Sequence, residues 1–296
     1  MSYQDTTIVS SHGIKNIIGT IQYHNKHFIR VNNGPNILFL EPTQIPLCLR
    51  EMKSIKEPFV LIVGTSYIGL DIQYFLIRLL LEHPFLLKLY CQNWCSAPHP
   101  KVVSLPIGLD YHTLNQKTKY PMFSHKSWGD YTSAKNQEQQ LLNIARYSNK
   151  LNLCYVNFKH SVDINEDRSE ALQKIPNNLL YIENLFKIRI ETWNTMAKYK
   201  YVISPHGLGL DCHRTWEAIA LGCIPIVKKS SLSVNGLYDD LPVLIVDNWS
   251  DITKELLEKN NVIPFESIPQ KLTINYWKKK IYDEFAPLAQ LPYNSL

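Results

Sequence analysis

Long uninterrupted apolar runs are missing from this sequence of 296 residues. The nearest approach, YFLIRLLLEHPFLLKLY, is broken by Arg78, Glu82, His83 and Pro84, which a bilayer core does not readily accommodate. The amino terminus, MSYQDTTIVSSHG, has no charged start followed by an apolar block, so no secretory leader is expected. Together these absences predict a soluble, cytoplasmic protein without a membrane span. Zinc-ligand spacing is also lacking. Six cysteines stand at positions 48, 91, 95, 154, 212 and 223, and no second Cys/His pair follows the C-x3-C of Cys91 and Cys95. They read as small buried hydrophobes in a reducing compartment. The net charge of +5 comes in short clusters such as Lys278 to Lys280, with no dense basic tail and no stripe interleaved with aromatics. That distribution leans towards anionic ligands and away from nucleic acid. Neither a G-x-G-x-x-G fingerprint nor a Walker loop occurs, which argues against a nicotinamide oxidoreductase. No repeat of fixed period and no low-complexity tract is found.

What is present is apolar material in short runs. Hydrophobic residues make up 45% of the chain, enough for one large core or two smaller ones. NILFL, FVLIVG, LKLYC, VVSLPIG, LNLCYVNF, YVIS, CIPIV and PVLIV are continuously apolar without alternation, as strands covered on both faces require. Between them DIQYFLIRLLLE, QEQQLLNIARYS, RIETWNTMAKY and DITKELLEKN carry helical spacing. Alternating strands and helices predict parallel sheets built from right-handed crossovers. The polar, turn-rich stretch from Thr113 to Lys135 reads as the seam between two such sheets, which divides the chain into residues 1–130 and 131–296. The amphipathic segment TINYWKKKIYDEF is expected to pack back across the first half.

One stretch concentrates chemistry: SPHGLGLDCHRTWEAIALGCIPIV, from Ser204 to Val227. YVIS predicts a strand, and the following PHGLGL a loop in which Gly207 and Gly209 permit unusual backbone angles and close approach by a ligand. Asp211 is the expected N-cap of a helix carrying Trp216, Ile219 and Ala220 at helical spacing, and Gly222 is its expected stop. Arg214 falls in the first turn, where the helix dipole disfavours a cation by roughly 0.3–1 kcal/mol. An anionic ligand reverses that sign, so a diphosphate over the glycine loop would be held by the helix amino end and Arg214 together. A simple ion pair of Arg214 with Asp211 is the plainer alternative. Glu217, one turn deeper in an apolar helix, is placed to accept hydrogen bonds from ribose hydroxyls. Ser204, His206 and His213 lie where they can meet phosphate or sugar oxygens. The residues alone therefore predict a ligand that bears phosphate, and leave the reaction open.

The order of Arg214, Glu217, Ala218, Leu221 to Pro225, then Leu241, Pro242 and Trp249, resembles the carboxyl-terminal half of exostosin-like glycosyltransferases. HPKVVSLPIGLDYHTL, from His99 to Leu114, looks like the end of the amino-terminal half in a soluble branch of that group found in large DNA viruses and protists. LCYVNF followed by Arg168 looks like the first strand and a basic contact of the donor domain. The resemblance covers about half the chain. It implies a GT-B architecture, with two Rossmann-like α/β domains facing across a cleft. A nucleoside-diphosphate sugar, with a UDP-sugar favoured, would bind mainly the second domain, and a carbohydrate acceptor the first. It further implies inverting transfer without a required metal or other cofactor, in keeping with the lack of an Asp-x-Asp pair at the end of a predicted strand. Typical exostosins carry a membrane anchor, which is not expected here, so the resemblance does not carry over their glycan acceptors.

Inverting transfer needs a base that takes the acceptor proton and donors that stabilise the departing diphosphate. Arg168, Arg214, His206 and the amides around Gly207 and Gly209 suit the second task. For the base two loops qualify: Asp71, which is equally an N-cap for the helix after it, and Asp110 with His112 as an orienting partner. The alternative is a Rossmann-like module that binds a nucleotide or sugar without catalysis.

Overall fold

The computed structural model describes residue 3 and residues 5–115, 129–144, 149–158, 166–183, 187–260, 262–264 and 266–287. The protein is an α/β molecule with two mainly parallel sheets. In the first, β1 (Ile21–His24) and β2 (His27–Arg30) form an antiparallel hairpin at one edge. Beside it β3 (Ile37–Leu40), β4 (Phe59–Val63), β5 (Leu86–Cys91) and β6 (Val102–Ser104) run parallel, in the order β2-β1-β3-β4-β5-β6. The second sheet contains β7 (Leu151–Val156), β8 (Leu180–Ile182), β9 (Tyr199–Ile203), β10 (Ile224–Lys228) and β11 (Leu244–Val246). All its pairings are parallel, in the order β11-β10-β9-β7-β8. The chain leaves β7 towards β8 on one side and returns to β9 on the other. That reversal is a topological switch point, where the strands' carboxyl ends leave a crevice.

Every predicted apolar run lies on a strand, and β4 is buried at all five positions. The hairpin and β8 were not predicted. The hairpin turns through Asn25 and Lys26, both left-handed at φ 47° and 71°, the geometry of a tight two-residue turn written without the usual glycine. Most of β8 is not buried, so it lacks the apolar signature of its neighbours. Two further helices, Ile45–Met52 and Asp167–Lys174, were also missed.

Three apolar clusters explain how the layers hold together. One fills the outer face of the first sheet, with Leu61, Leu89, Ile77 and Leu80, and another that of the second, with Ile203, Ile226, Ala171 and Trp249. The third is continuous between the sheets and joins Ile37, Val60 and Tyr90 of the first half to Tyr155, Trp193, Val202 and Trp216 of the second. The helix Ile274–Asp283 contributes Ile274, Trp277 and Ile281 to it, and Tyr90 Oη donates to Glu284 Oε1 at 2.6 Å. The helix Ala134–Leu142 reaches back to the start of the chain: Glu138 accepts the N–H groups of Thr7 and Ile8 and the Tyr111 hydroxyl. Of the predicted seam from Thr113 to Lys135, residues 116–128 lie outside the described residues, and its last two already belong to that helix. Among the described residues no helix is long and apolar enough to cross a membrane.

Candidate functional site

The stretch from Ser204 to Val227 forms a strand end, a loop, the helix His213–Ala220 and β10. The helix forms because Trp216 and Ala218 to Ala220 are buried against the shared core. It stops at Gly222, whose φ of 69° suits glycine. Gly222 N–H bonds the Ile219 carbonyl and Cys223 N–H that of Ala218, which together close a Schellman motif.

Its amino end is built differently from the expectation. Cys212, not Asp211, takes the N-cap position, and no side chain caps the helix. The Asp211 carboxylate turns to two other donors, the partly buried Ile107 N–H in the first half of the chain (the first lobe) at 2.7 Å and the buried Trp216 indole N–H at 2.8 Å. Asp211 N–H in turn donates to Asn93 Oδ1 at 2.9 Å. Burial pushes the Asp211 carboxyl up to about 7, against the pull of those donors. Nor do Gly207 and Gly209 adopt left-handed angles. A Cβ on Gly209 would meet Asn93 Oδ1 and the Tyr67 carbonyl at 2.9 Å, so the close neighbour there is the first lobe. His213 Nδ1 lies 2.7 Å from the Gly108 carbonyl and donates to it. The residues flanking the helix tip, Gly209, Asp211 and His213, are thus packed against the first half of the chain. Asp211 and Gly209 fasten the lobes together.

The cationic groups instead converge at the switch point. Asn157 and Phe158 follow β7 directly. Arg214 donates from Nε to Asn157 Oδ1 at 3.0 Å, and its guanidinium lies 5.3 Å from the Phe158 ring centroid. Arg168 approaches the same ring at 5.9 Å and donates from Nε to the His206 carbonyl at 3.2 Å. A Cβ on Gly207 would come within 2.7 Å of Arg168 Nη2, so a side chain there would displace that guanidinium. Arg214 Nη1 is buried and has no hydrogen-bond partner among the described residues. Burial lowers the Arg214 pKa, a shift that Arg168 adds to and that Cys212 and Glu217 oppose, and the two guanidiniums share the Phe158 ring. Such a pair is relieved by an anion. The plainer pairing of Arg214 with Asp211 does not appear among the ion pairs of the described residues.

The remaining donor-side residues surround this pair. Ser204 Oγ and Thr215 Oγ1 bond to each other at 2.8 Å. His206 donates its N–H to Asp167 Oδ2 at 2.7 Å. Its imidazole lies 3.6 Å from that oxygen, and burial, opposed by Asp167, lowers its pKa. Asp167 also accepts the Trp249 indole N–H at 2.7 Å, so its carboxylate ties the helix bearing Arg168 both to the loop at His206 and to the turn after β11. Glu217 is buried and its carboxyl is raised by burial, opposed chiefly by Arg189 and reinforced by Asp110.

Of the base candidates, Asp110 and His112 come together and Asp71 stands apart. Asp71 Oδ1 accepts the Gln73 N–H and the Ser96 hydroxyl, both at 2.8 Å, and so pins a turn. The helix after it begins later, at Phe75 with Tyr74 as its N-cap, so Asp71 is not the N-cap either. Asp110 Oδ1 lies 2.9 Å from His112 Nδ1, while Oδ2 meets Arg189 Nη2 at 2.9 Å and the Thr113 hydroxyl at 2.7 Å. Burial would raise Asp110, but Arg189 and His112 outweigh it and hold the carboxylate well below its ordinary value. The His112 imidazole is depressed by burial yet raised above its ordinary value by Asp110.

Sequence reasoning missed Asp167, Asn157, Asn93 and Arg189. Asn157 was findable in principle, as it ends a predicted strand at the switch point; the others act through partners distant in the chain. Two open grooves, of about 360 and 410 Å³, lie elsewhere, lined in part by Phe28, Leu38 and Ile55 and by Tyr276, Lys280 and Glu284. The candidate site therefore rests on convergent charge, not on cavity size. Neither a protein-family model nor a curated protein matches the chain.

Proposed function

We propose that this protein is a glycosyltransferase of GT-B type, of the exostosin-like kind that its motifs resemble. It transfers a sugar from a nucleoside-diphosphate sugar, a UDP-sugar in the favoured case, to a hydroxyl of a carbohydrate acceptor. The observation that carries this reading is the Arg168–Arg214 pair at the switch point of the second sheet, with Arg214 Nη1 buried and unpartnered. Ligands of open α/β sheets sit in that position, at the strands' carboxyl ends. Two guanidiniums supply the charge that a departing diphosphate develops, so transfer needs no metal ion at the phosphates. His112, oriented by Asp110, takes the acceptor proton, and attack from the face opposite the leaving group inverts the anomeric centre.

Incubation with a panel of nucleotide sugars, with and without simple acceptor sugars, tests the proposal. Release of nucleoside diphosphate from at least one donor is expected. His112→Gln should keep donor binding while turnover falls by about 100-fold or more. The packed helix tip favours a second reading, a module that binds a nucleotide without turning it over. That module would release no nucleoside diphosphate from any donor, which is the result that overturns the transferase.

A further inference from the structure

At the lobe seam three side chains from two chain segments converge. Asp110 and His112 follow β6, His213 opens the helix of the second lobe, and one donor atom from each lies within 4.8 Å of the other two. We propose that Asp110, His112 and His213 bind a divalent first-row transition-metal ion. Bonds of about 2.0–2.2 Å to imidazole nitrogen and carboxylate oxygen place donors sharing one ion roughly 3–4 Å apart, so small side-chain rotations complete the set.

The surroundings suit the task. His213 Nδ1 donates to the Gly108 carbonyl, which leaves the Nε2 lone pair free to ligate in a fixed ring orientation. Gly108 can hold that carbonyl because it has no side chain: its φ is +67°, and a Cβ would lie 2.1 Å from the Val9 carbonyl. Asp110 is immobilised by Arg189 and Thr113, and a third imidazole, His12, stands with its ring 5.1 Å from that of His112. Other groups facing the cluster are Arg189, Lys15 and the Tyr3 hydroxyl, the last 3.4 Å from His12 Nδ1. Arg189 faces both Asp110 and the buried Glu217, and the ligand set itself holds one carboxylate and two imidazoles. The set therefore favours zinc or cobalt, which accept imidazole, over magnesium or calcium, which require several oxygens.

The site shares Asp110 and His112 with the proposed base but does not depend on the transferase reading, because it is read by metal binding alone. If both readings hold, the ion and the acceptor proton compete for His112, and zinc inhibits transfer.

Chelator-stripped protein of all 296 residues would be titrated with Co²⁺ by visible absorption and with Zn²⁺ and Mg²⁺ by calorimetry. One equivalent of Co²⁺ or Zn²⁺ should bind, with no saturable Mg²⁺ binding in the same range. His213→Gln and His112→Ala should each weaken Zn²⁺ by about 100-fold or more and abolish the Co²⁺ bands. His112 is 38% exposed, so its replacement keeps the test available if His213→Gln fails to fold. Absence of one-equivalent binding, or binding unchanged in the folded variants, overturns the site. Uridine diphosphate affinity, measured on metal-free protein, reports separately on the Arg214 crevice.

Discussion

Asp211 shows how far a residue's role depends on partners outside its own segment. As an acid just before a helix it reads as an N-cap, yet its carboxylate satisfies Ile107 N–H in the other lobe and the Trp216 indole. Asp211→Ala leaves the buried Trp216 indole and the partly buried Ile107 N–H without their partner, and urea denaturation should show a loss of about 1–3 kcal/mol. Its pH dependence has a definite sign. The folded carboxyl titrates near 7, against 3.8 for the ordinary group, so the folded state holds the proton through that interval. The stability this contributes is full below about pH 4 and lost as pH rises through 7. Asp211→Asn should therefore trail the wild type less at pH 8 than at pH 5 in thermal melts. For His112 the relevant readout is rate: Asp110 keeps its pKa above the usual value, so turnover should rise as pH climbs through that raised value. Asp110→Asn should move that limb to lower pH. Arg214 was legible from sequence because a cation in a helix's first turn is a local anomaly. Asp211 was not, because its partner stands 104 positions away.

Within single elements the sequence was more informative. The helix His213–Ala220 and its stop follow from residues in contact along the chain: buried Trp216 and Ile219, then Gly222 in the left-handed region. Gly222→Ala should cost about 1–2 kcal/mol, since alanine gains little from its methyl and resists positive φ. Gly207 instead leaves room for the Arg168 guanidinium. Gly207→Ala places a methyl against Arg168 Nη2 and should weaken nucleoside diphosphate binding several-fold while leaving the melting temperature within a few degrees; calorimetry beside a thermal melt checks this. The elements that escaped prediction lack such local marks. β8 is mostly not buried, and the β1–β2 turn is formed by Asn25 and Lys26 without a glycine.

For the whole molecule, strand runs and crossover lengths made the two parallel sheets legible, whereas the way the halves join was not. Three features set that arrangement: the continuous cluster from Ile37 and Tyr90 to Trp193 and Trp216, the Glu138 clasp on Thr7 and Ile8, and the terminal helix on Tyr90. No periodicity within one segment encodes contacts of this kind. A shared core makes unfolding of one half expose the other, so scanning calorimetry should show one transition, and two separated transitions would contradict a common core. The same closure brings Asp110 and His112 opposite Arg189 and His213. The most direct test of the central claim, that the Arg168–Arg214 crevice receives a diphosphate, is calorimetric titration of uridine diphosphate into the wild type and Arg214→Ala. One-to-one binding that weakens at least about 10-fold in the variant is predicted, as befits one charge-assisted contact of about 1.5–3 kcal/mol. Absence of binding to the wild type, or equal affinity in both proteins, would contradict it.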